Sequence, residues 1–432
     1  MEAELKTMTT KDKLIAEFES SKNSLFDNIQ LREQALEAFS KQGIPNRKSE
    51  EYKYVNIELS MKGDFAFSSS KKLSAKQIES TQFLKDAIIV VIENGKFNSE
   101  SSKVNSLPKG LQILTISEAV SDESYTKHYT KYADINSDVF IALNTAFASG
   151  GVFIHLAKSA VIETPIHIIH ISSVSENTIL NTRNLIVVEE NAQVQFVESY
   201  ETVDLSAKSF TNTLTEIVVE ANAIVSHFKI QNECELGSLI STTQVVQKGK
   251  SVFSNHTFTL SGSLVRNNLN IVLDGEHIES HLNGLYLTNG NQVVDNHTLV
   301  DHRKPNCNSN ELYKGIIEDK SSATFNGKIY VRKDAQKTNA FQSNKNILLS
   351  DDGTINTKPQ LEIYADDVKC SHGTSTGKLD VDKIFYLRAR GLSEASAKKL
   401  LMHAFASEVL DSIKGMEDLH NYLEERISKR FE

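Results

Sequence analysis

The chain has 432 residues and a formal net charge of −9, with 24% charged and 39% hydrophobic residues. That length accommodates two or three domains, or one elongated repeat body with appendages. An acidic balance argues against a broad nucleic-acid footprint, which needs a basic face, and no run approaches the ~20 apolar residues of a membrane span. The N-terminus, Met1-Glu2-Ala3-Glu4-Leu5-Lys6, lacks both an apolar leader core and an Arg-rich transit pattern. Cys234, Cys307 and Cys370 are scattered and odd in number, which fits a reducing, cytoplasmic setting.

The first forty residues predict helix. Leu14, Phe18, Leu25, Ile29, Leu36 and Phe39 recur near multiples of 3.6, and Gly43-Ile44-Pro45 ends the pattern. A polar stretch at Ser68-Ser69-Ser70-Lys71-Lys72 precedes a strand-like run, Ala87 to Ile92. A second polar connector, Asn98 to Lys109, follows. Val139 to Phe147 is apolar again and stops at Gly150-Gly151.

From Val152 to Tyr364 helical spacing gives way to short β-branched runs separated by Gly, Asn and Asp. The runs resemble one another. Val187-Val188-Glu189-Glu190-Asn191-Ala192-Gln193-Val194 returns as Val218-Val219-Glu220-Ala221-Asn222-Ala223-Ile224-Val225. Weaker copies start at Ile154, Val245, Ile271, Ile316 and Leu348. Their starts are roughly 26–33 residues apart, with one longer interval of about 45, which is the period range of stacked repeats. Each copy reads as strand, polar corner able to take positive φ, and strand. A single coil cannot bury its inner face, so coils stack into a shared core. A β-sandwich also has many short strands, but the in-phase Glu-Asn-Ala and Asp-Gly corners favour a solenoid.

Helices return at the C-terminus. Asp380 can cap one carrying Val381, Ile384, Phe385 and Leu387, with Gly391 past its end. Ser393 can cap a second, with an apolar stripe of Ala397, Leu401, Ala404, Phe405, Leu410 and Ile413. A third carries Leu419, Leu423 and Ile427, and Arg426, Lys429 and Arg430 near its end suit the helix dipole. Such helices after a solenoid serve as a cap or as a docking surface. The resulting organisation is 1–150 helical and mixed, 151–377 solenoid, and 378–432 helical.

Histidines His155, His167, His170, His227, His256, His277, His281, His297 and His302 all fall in the repeat region. His167 and His170 would face opposite sides of a strand, whereas His277 and His281 would share a face on an unbroken one. Histidines also fill solenoid ladders without any ligand, so a metal is not the default reading. Asp274 and Glu276 would share a strand face and could serve a polysaccharide lyase or hydrolase, although they flank a Gly corner and the chain has no Trp for a sugar platform. Asp366 with Asp367 is a weaker pair. Cys370 and His372, two apart, would share a strand face and could hold a borderline metal such as iron, but two ligands do not complete a cluster. Neither a phosphate-binding loop nor a dinucleotide fingerprint is present.

Asp366-Asp367-Val368-Lys369-Cys370-Ser371-His372-Gly373, followed by Phe385-Tyr386-Leu387-Arg388-Ala389-Arg390-Gly391, resembles the C-terminal signature of the SufD family, scaffold subunits of the SUF iron–sulfur assembly system. The resemblance runs back through Glu311-Leu312-Tyr313-Lys314-Gly315, Phe325-Asn326-Gly327-Lys328-Ile329, Ala335-Gln336-Lys337-Thr338 and Lys358-Pro359-Gln360-Leu361-Glu362-Ile363. Near the N-terminus, Gly43 to Tyr54 is similar to a family region in which Tyr52 replaces Trp. The paralogous SufB subunits bear a sulfur-receiving cysteine for which this chain has no suitable context.

The resemblance implies a mostly β fold, with a right-handed parallel β-helix core flanked by N- and C-terminal helical domains. It implies a scaffold without catalysis of its own, pairing with a SufB-type paralogue and docking a SufC-type ATPase on helices that include Phe385, Tyr386, Arg388, Arg390, Leu401 and Phe405. His372, with Cys370 beside it, falls where iron or a transient cluster would be held at the subunit interface. No cofactor is expected to stay on the isolated chain, no nucleic acid or membrane is expected as partner, and a homodimer can form when the chain is alone. Two rivals remain: a carbohydrate-active β-helix enzyme and a free-standing module dimerising through strand edges.

Overall fold

The computed structural model describes residues 10–22, 28–67 and 71–431. Leu25, the N-terminal hexapeptide and Ser68 to Ser70 lie outside them. The expected parallel β-solenoid, with helices at both ends, is the observed fold. Its body consists of two sheets of ten strands each among the described residues, and from Val152–Leu156 to Thr354–Thr357 consecutive strands alternate between the sheets. Successive coils stack in parallel register: Thr178–Val188 lies on Ser209–Val219, then Gly237–Gln247, then Leu264–Leu273.

The corners explain the sequence repeat. Val187 to Val194 and Val218 to Val225 each span a strand end, a turn and a strand start, and Asn191 and Asn222 take φ of 61° and 58° there. At the Asp274-Gly275 corner the left-handed residue is His277, at φ 58°, rather than the glycine. The copies starting at Ile154, Val187, Val218, Val245 and Ile271 carry the chain from one sheet to the other. Those at Ile316 and Leu348 carry it back. The long interval is therefore a phase change of half a coil. Both kinds of corner share one apolar–polar–apolar signature, so sequence similarity cannot tell them apart.

The interior is mixed. Apolar residues such as Ile186, Val194, Ile217, Val225, Val245 and Phe253 fill one part of the shared core. Elsewhere the inward positions are polar. Close stacking also demands glycine at Gly284, where an added Cβ would lie 2.3 Å from the ring of buried Tyr313. Gly284→Ala must displace that ring and should cost about 1–3 kcal/mol, the usual penalty of overpacking. A lowered urea midpoint for that variant, beside an unchanged one for Gly377→Ala, would show it; Gly377 has nothing within 4 Å and no positive φ, so an equal fall there would point away from the Tyr313 contact.

The N-terminal region packs on the solenoid's start and side. Helices Thr10–Ser21 and Ile29–Gln42 are separate, the second capped by Asn28 and closed by Gly43 at φ 68°. Leu14, Phe18, Leu36 and Phe39 are buried as the stripe requires, but Ile29 is 43% exposed because it occupies the second helix's first turn. The run Val139–Phe147 is a buried helix capped by Asp138. Gly151, at φ +133°, follows it; a Cβ there would meet the Arg183 carbonyl oxygen at 1.8 Å. Strand Ile88–Glu93 extends one sheet by pairing in parallel with Ile166–Ser172.

Helices Val381–Ala389, Glu394–Leu410 and Glu417–Arg430 end the chain. The last two cover one sheet's outer face, burying Met402, Ala406, Val409, Leu419, Leu423 and Ile427 against Phe228, Phe258, Leu285 and Ile316. The buried line of the middle helix runs through Met402 and Ala406. Leu401 and Phe405 are half-buried and Ala404 is exposed, so the stripe is rotated from the expected one. No helix among the described residues is long and apolar enough to cross a membrane.

Candidate functional site

The solenoid ends on strand Val368–Gly377, which pairs in parallel with Thr338–Leu348, placing Cys370 beside Ala340 and His372 beside Gln342. Among the described residues no strand pairs with its other edge. On the preceding strand Ala340, Gln342, Asn344 and Asn346 are buried and face inward. Register therefore puts Cys370, His372, Thr374 and Thr376 on the inward side of a rung that no further strand among the described residues covers.

Cys370 and His372 share that side in different surroundings. Cys370 is half-buried in a small cluster with Val331, Ala335, Ala340 and Ala365. Burial pushes its thiol above the usual value, with the Ala340 backbone partly opposing. A thiol held this way is not a ready thiolate. His372 is exposed. Among the described residues no group of three or more His, Cys, Asp or Glu side chains could hold a metal ion, and two side chains alone do not complete a cluster.

Helix Val381–Ala389 follows directly and none of its residues is buried. Val381 is 75% and Phe385 73% exposed, and Tyr386 is exposed with Arg390 stacked 4.7 Å from its ring centroid. Arg388 reaches Glu394 at 3.5 Å. By contrast, Leu401 and Phe405 sit on the helix fixed to the solenoid: Lys314 Nζ donates to the Phe405 carbonyl at 2.8 Å and lies 4.4 Å from its ring centroid. The six expected docking residues thus divide into four on a free helix and two on an anchored one.

Residues 170–405 match the family described as SUF system FeS cluster assembly, SufBD core domain, and residues 8–168 match the SufBD protein N-terminal region. The chain belongs to the SufBD family. An iron–sulfur cluster assembly SufBD family protein of Synechocystis is 32% identical over 89% of this chain and 87% of its own. Iron–sulfur cluster assembly protein SufD of Escherichia coli is 30% identical over 92% of each chain. Protein ABCI7, chloroplastic, of Arabidopsis thaliana is 27% identical over 90% of this chain and 83% of its own.

Within this SufBD chain the remaining histidines are placed by the coils. His167 faces outward, its ring 4.5 Å from that of Phe83. His170 faces inward, stacked on Tyr200 at 4.6 Å. His277 stands in a turn and His281 on the next strand, so the unbroken strand that would align them does not exist. Asp274 and Glu276 occupy that same turn, outside strand alternation, and Asp274 is engaged by Lys248 at 2.7 Å.

Sequence reasoning missed the polar interior. Glu198, fully buried, meets His227 Nε2 at 3.0 Å, His170 Nε2 at 3.3 Å, the Tyr200 hydroxyl at 2.7 Å and Lys229 Nζ at 3.9 Å. Desolvation opposes its charge, yet Lys229 and the two histidines hold its carboxyl well below the usual range. Further along, the Tyr286 hydroxyl donates to Asn346 Oδ1 at 2.6 Å. The available signal was polar residues at alternate strand positions facing the core.

Proposed function

We propose that this SufBD chain acts as a non-catalytic, cytoplasmic SufD-type scaffold. It pairs with a SufB-type paralogue at the uncovered end of the solenoid, and a SufC-type ATPase docks on its C-terminal helices. His372, with Cys370 as an auxiliary group, then presents a ligand to incoming iron or a nascent cluster as substrate. The unpaired edge of Val368–Gly377, with exposed His372 on its open inward face, is the observation that carries this reading. An open edge is a template for another chain. The free helix Val381–Ala389 supports the second contact, because large exposed apolar residues mark interaction surfaces.

The test is co-purification of tagged full-length chain, and of a version ending at Gly377, with SufB-type and SufC-type proteins of the same source. The full-length chain is expected to retain both, and the truncated one only the SufB-type partner. Loss of neither on truncation would place the ATPase contact elsewhere, and capture of neither by the full chain would remove the scaffold reading. Because helices 394–410 and 417–430 cover a core face, Phe385→Glu in the full chain supplies the same test without uncovering it.

A further inference from the structure

The last interior rungs hold a polar arrangement that the rest of the core does not explain. Glu311, Gln342 and His372 stand in register on three successive strands, spaced about 4.8 Å apart. Glu311 and Gln342 are buried, at 5% and 3% exposure. Gln342 Nε2 donates to Glu311 Oε2 at 2.6 Å, which fixes the amide with its nitrogen toward the solenoid interior. Gln342 Oε1 is then a buried acceptor with no donor. Gly327 on the opposite sheet makes room: a Cβ there would lie 2.1 Å from Gln342 Nε2. Beyond Gln342 the next rung on its own sheet is that of His372. Across from it the other sheet is interrupted between Thr354–Thr357 and Gln360–Ile363.

A histidine that ligates a metal characteristically gives its second ring N–H to a carboxylate or carbonyl oxygen, which fixes tautomer and ring direction. We propose that Gln342 is a positioning residue for His372. Once a partner covers the open end, Gln342 Oε1 accepts one ring N–H of His372 and leaves the other ring nitrogen free to bind ferrous iron. Glu311 keeps the amide the right way round. This rests on the reading of His372 as an iron ligand given above.

The experiment uses the full-length chain co-purified with its partner subunits, with ¹⁵N-labelled histidine and the His372 signals assigned by their loss in His372→Ala. Two quantities are read: the tautomer of His372 and the affinity for ferrous iron added anaerobically. The wild-type ring is expected in one tautomer. Gln342→Leu should populate both tautomers and weaken ferrous binding about 10–100-fold. Glu311→Gln, whose amide oxygen still accepts from Gln342, should change neither. Gln342→Asn, an amide too short to span both neighbours, repeats the test if the leucine variant folds poorly. An unchanged tautomer and affinity in both Gln342→Leu and Gln342→Asn would overturn the proposal. Unchanged ferrous binding in His372→Ala would remove the ligand reading instead, while the tautomer still decides the role of Gln342.

Discussion

Replacing Asp295 with alanine is expected to cost about 3–5 kcal/mol of stability, because it strands a buried guanidinium. Arg266 is 2% exposed and its Nη1 pairs with Asp295 Oδ2. The same nitrogen donates to the Glu51 carbonyl at 2.8 Å, and the guanidinium lies 4.0 Å from the Tyr52 ring centroid. The Tyr52 hydroxyl in turn donates to Asp138 Oδ2 at 2.5 Å. His297 bridges the group, with Nε2 2.9 Å from Asp295 and Nδ1 3.4 Å from Glu51. This desolvated charge is thus one of the ties between solenoid and N-terminal segment, beside the buried Arg183–Glu216 pair that holds Thr130, Ala133 and Thr145. Urea denaturation should show a large fall for Asp295→Ala and a much smaller one for Arg266→Met with Asp295→Leu, which removes both charges together. Equal falls would show that packing on Tyr52, and not charge pairing, holds the segment.

A second large effect concerns pH. Burial pushes His167 down to about 3 and His302 down to about 4, and burial with nearby His281 and His227 pushes His256 down to about 4. Burial pushes Glu233 up to about 8, aided by Glu201. It pushes Glu201 up to about 7 despite a hydrogen bond from Asn232, and Glu311 to about 7. The histidines bind protons better when unfolded, so their contribution is lost as pH falls from about 6.5 toward 4. The carboxyls bind protons better when folded, so theirs is present at low pH and lost as pH rises from about 4.3 through 7–8. Between about 4.3 and 6.5 the two trends oppose each other; above that only the carboxyl loss remains, at about 1.4 kcal/mol per unit for each group still protonated. The chain should therefore be more stable at pH 6 than at pH 8.5, by about 2–4 kcal/mol. Glu233→Gln should remove most of that difference, because its carboxyl stays protonated furthest into the window. A urea midpoint that is flat or rises between the two pH values would show these carboxyls to be ionised in the fold.

The solenoid was legible because its corners obey local rules. Asn191 and Asn222 must turn the chain, and the β-branched runs beside them must be strands. Capping was equally local: Asp380 and Ser393 accept from the helix N–H groups expected of them. What stayed hidden depends on stacking. Glu311 and Gln342 are about thirty residues apart and meet only through register, and Glu198 gathers partners from three strands. The free helix was hidden for a related reason. Val381 and Phe385 look like core residues in isolation, and only the absence of a covering element among the described residues exposes them. At the site, the shared face of Cys370 and His372 followed from alternation, while their contrasting burial is set by where the coils stop.

Register also has a consequence for synthesis. Each strand lies on one made about thirty residues earlier, as Ala340 lies on Ser309 and Cys370 on Ala340. The body can therefore grow rung by rung as the chain leaves the ribosome, with little loop entropy to overcome at each addition. The open edge is laid down last in this series. Only then do the final helices emerge, and they close on earlier strands around Phe228 and Phe258, reaching as far as Lys345 on the strand beside that edge. A nascent chain thus has its open edge finished while its tail is still being made, so that edge is complete before the final helices are.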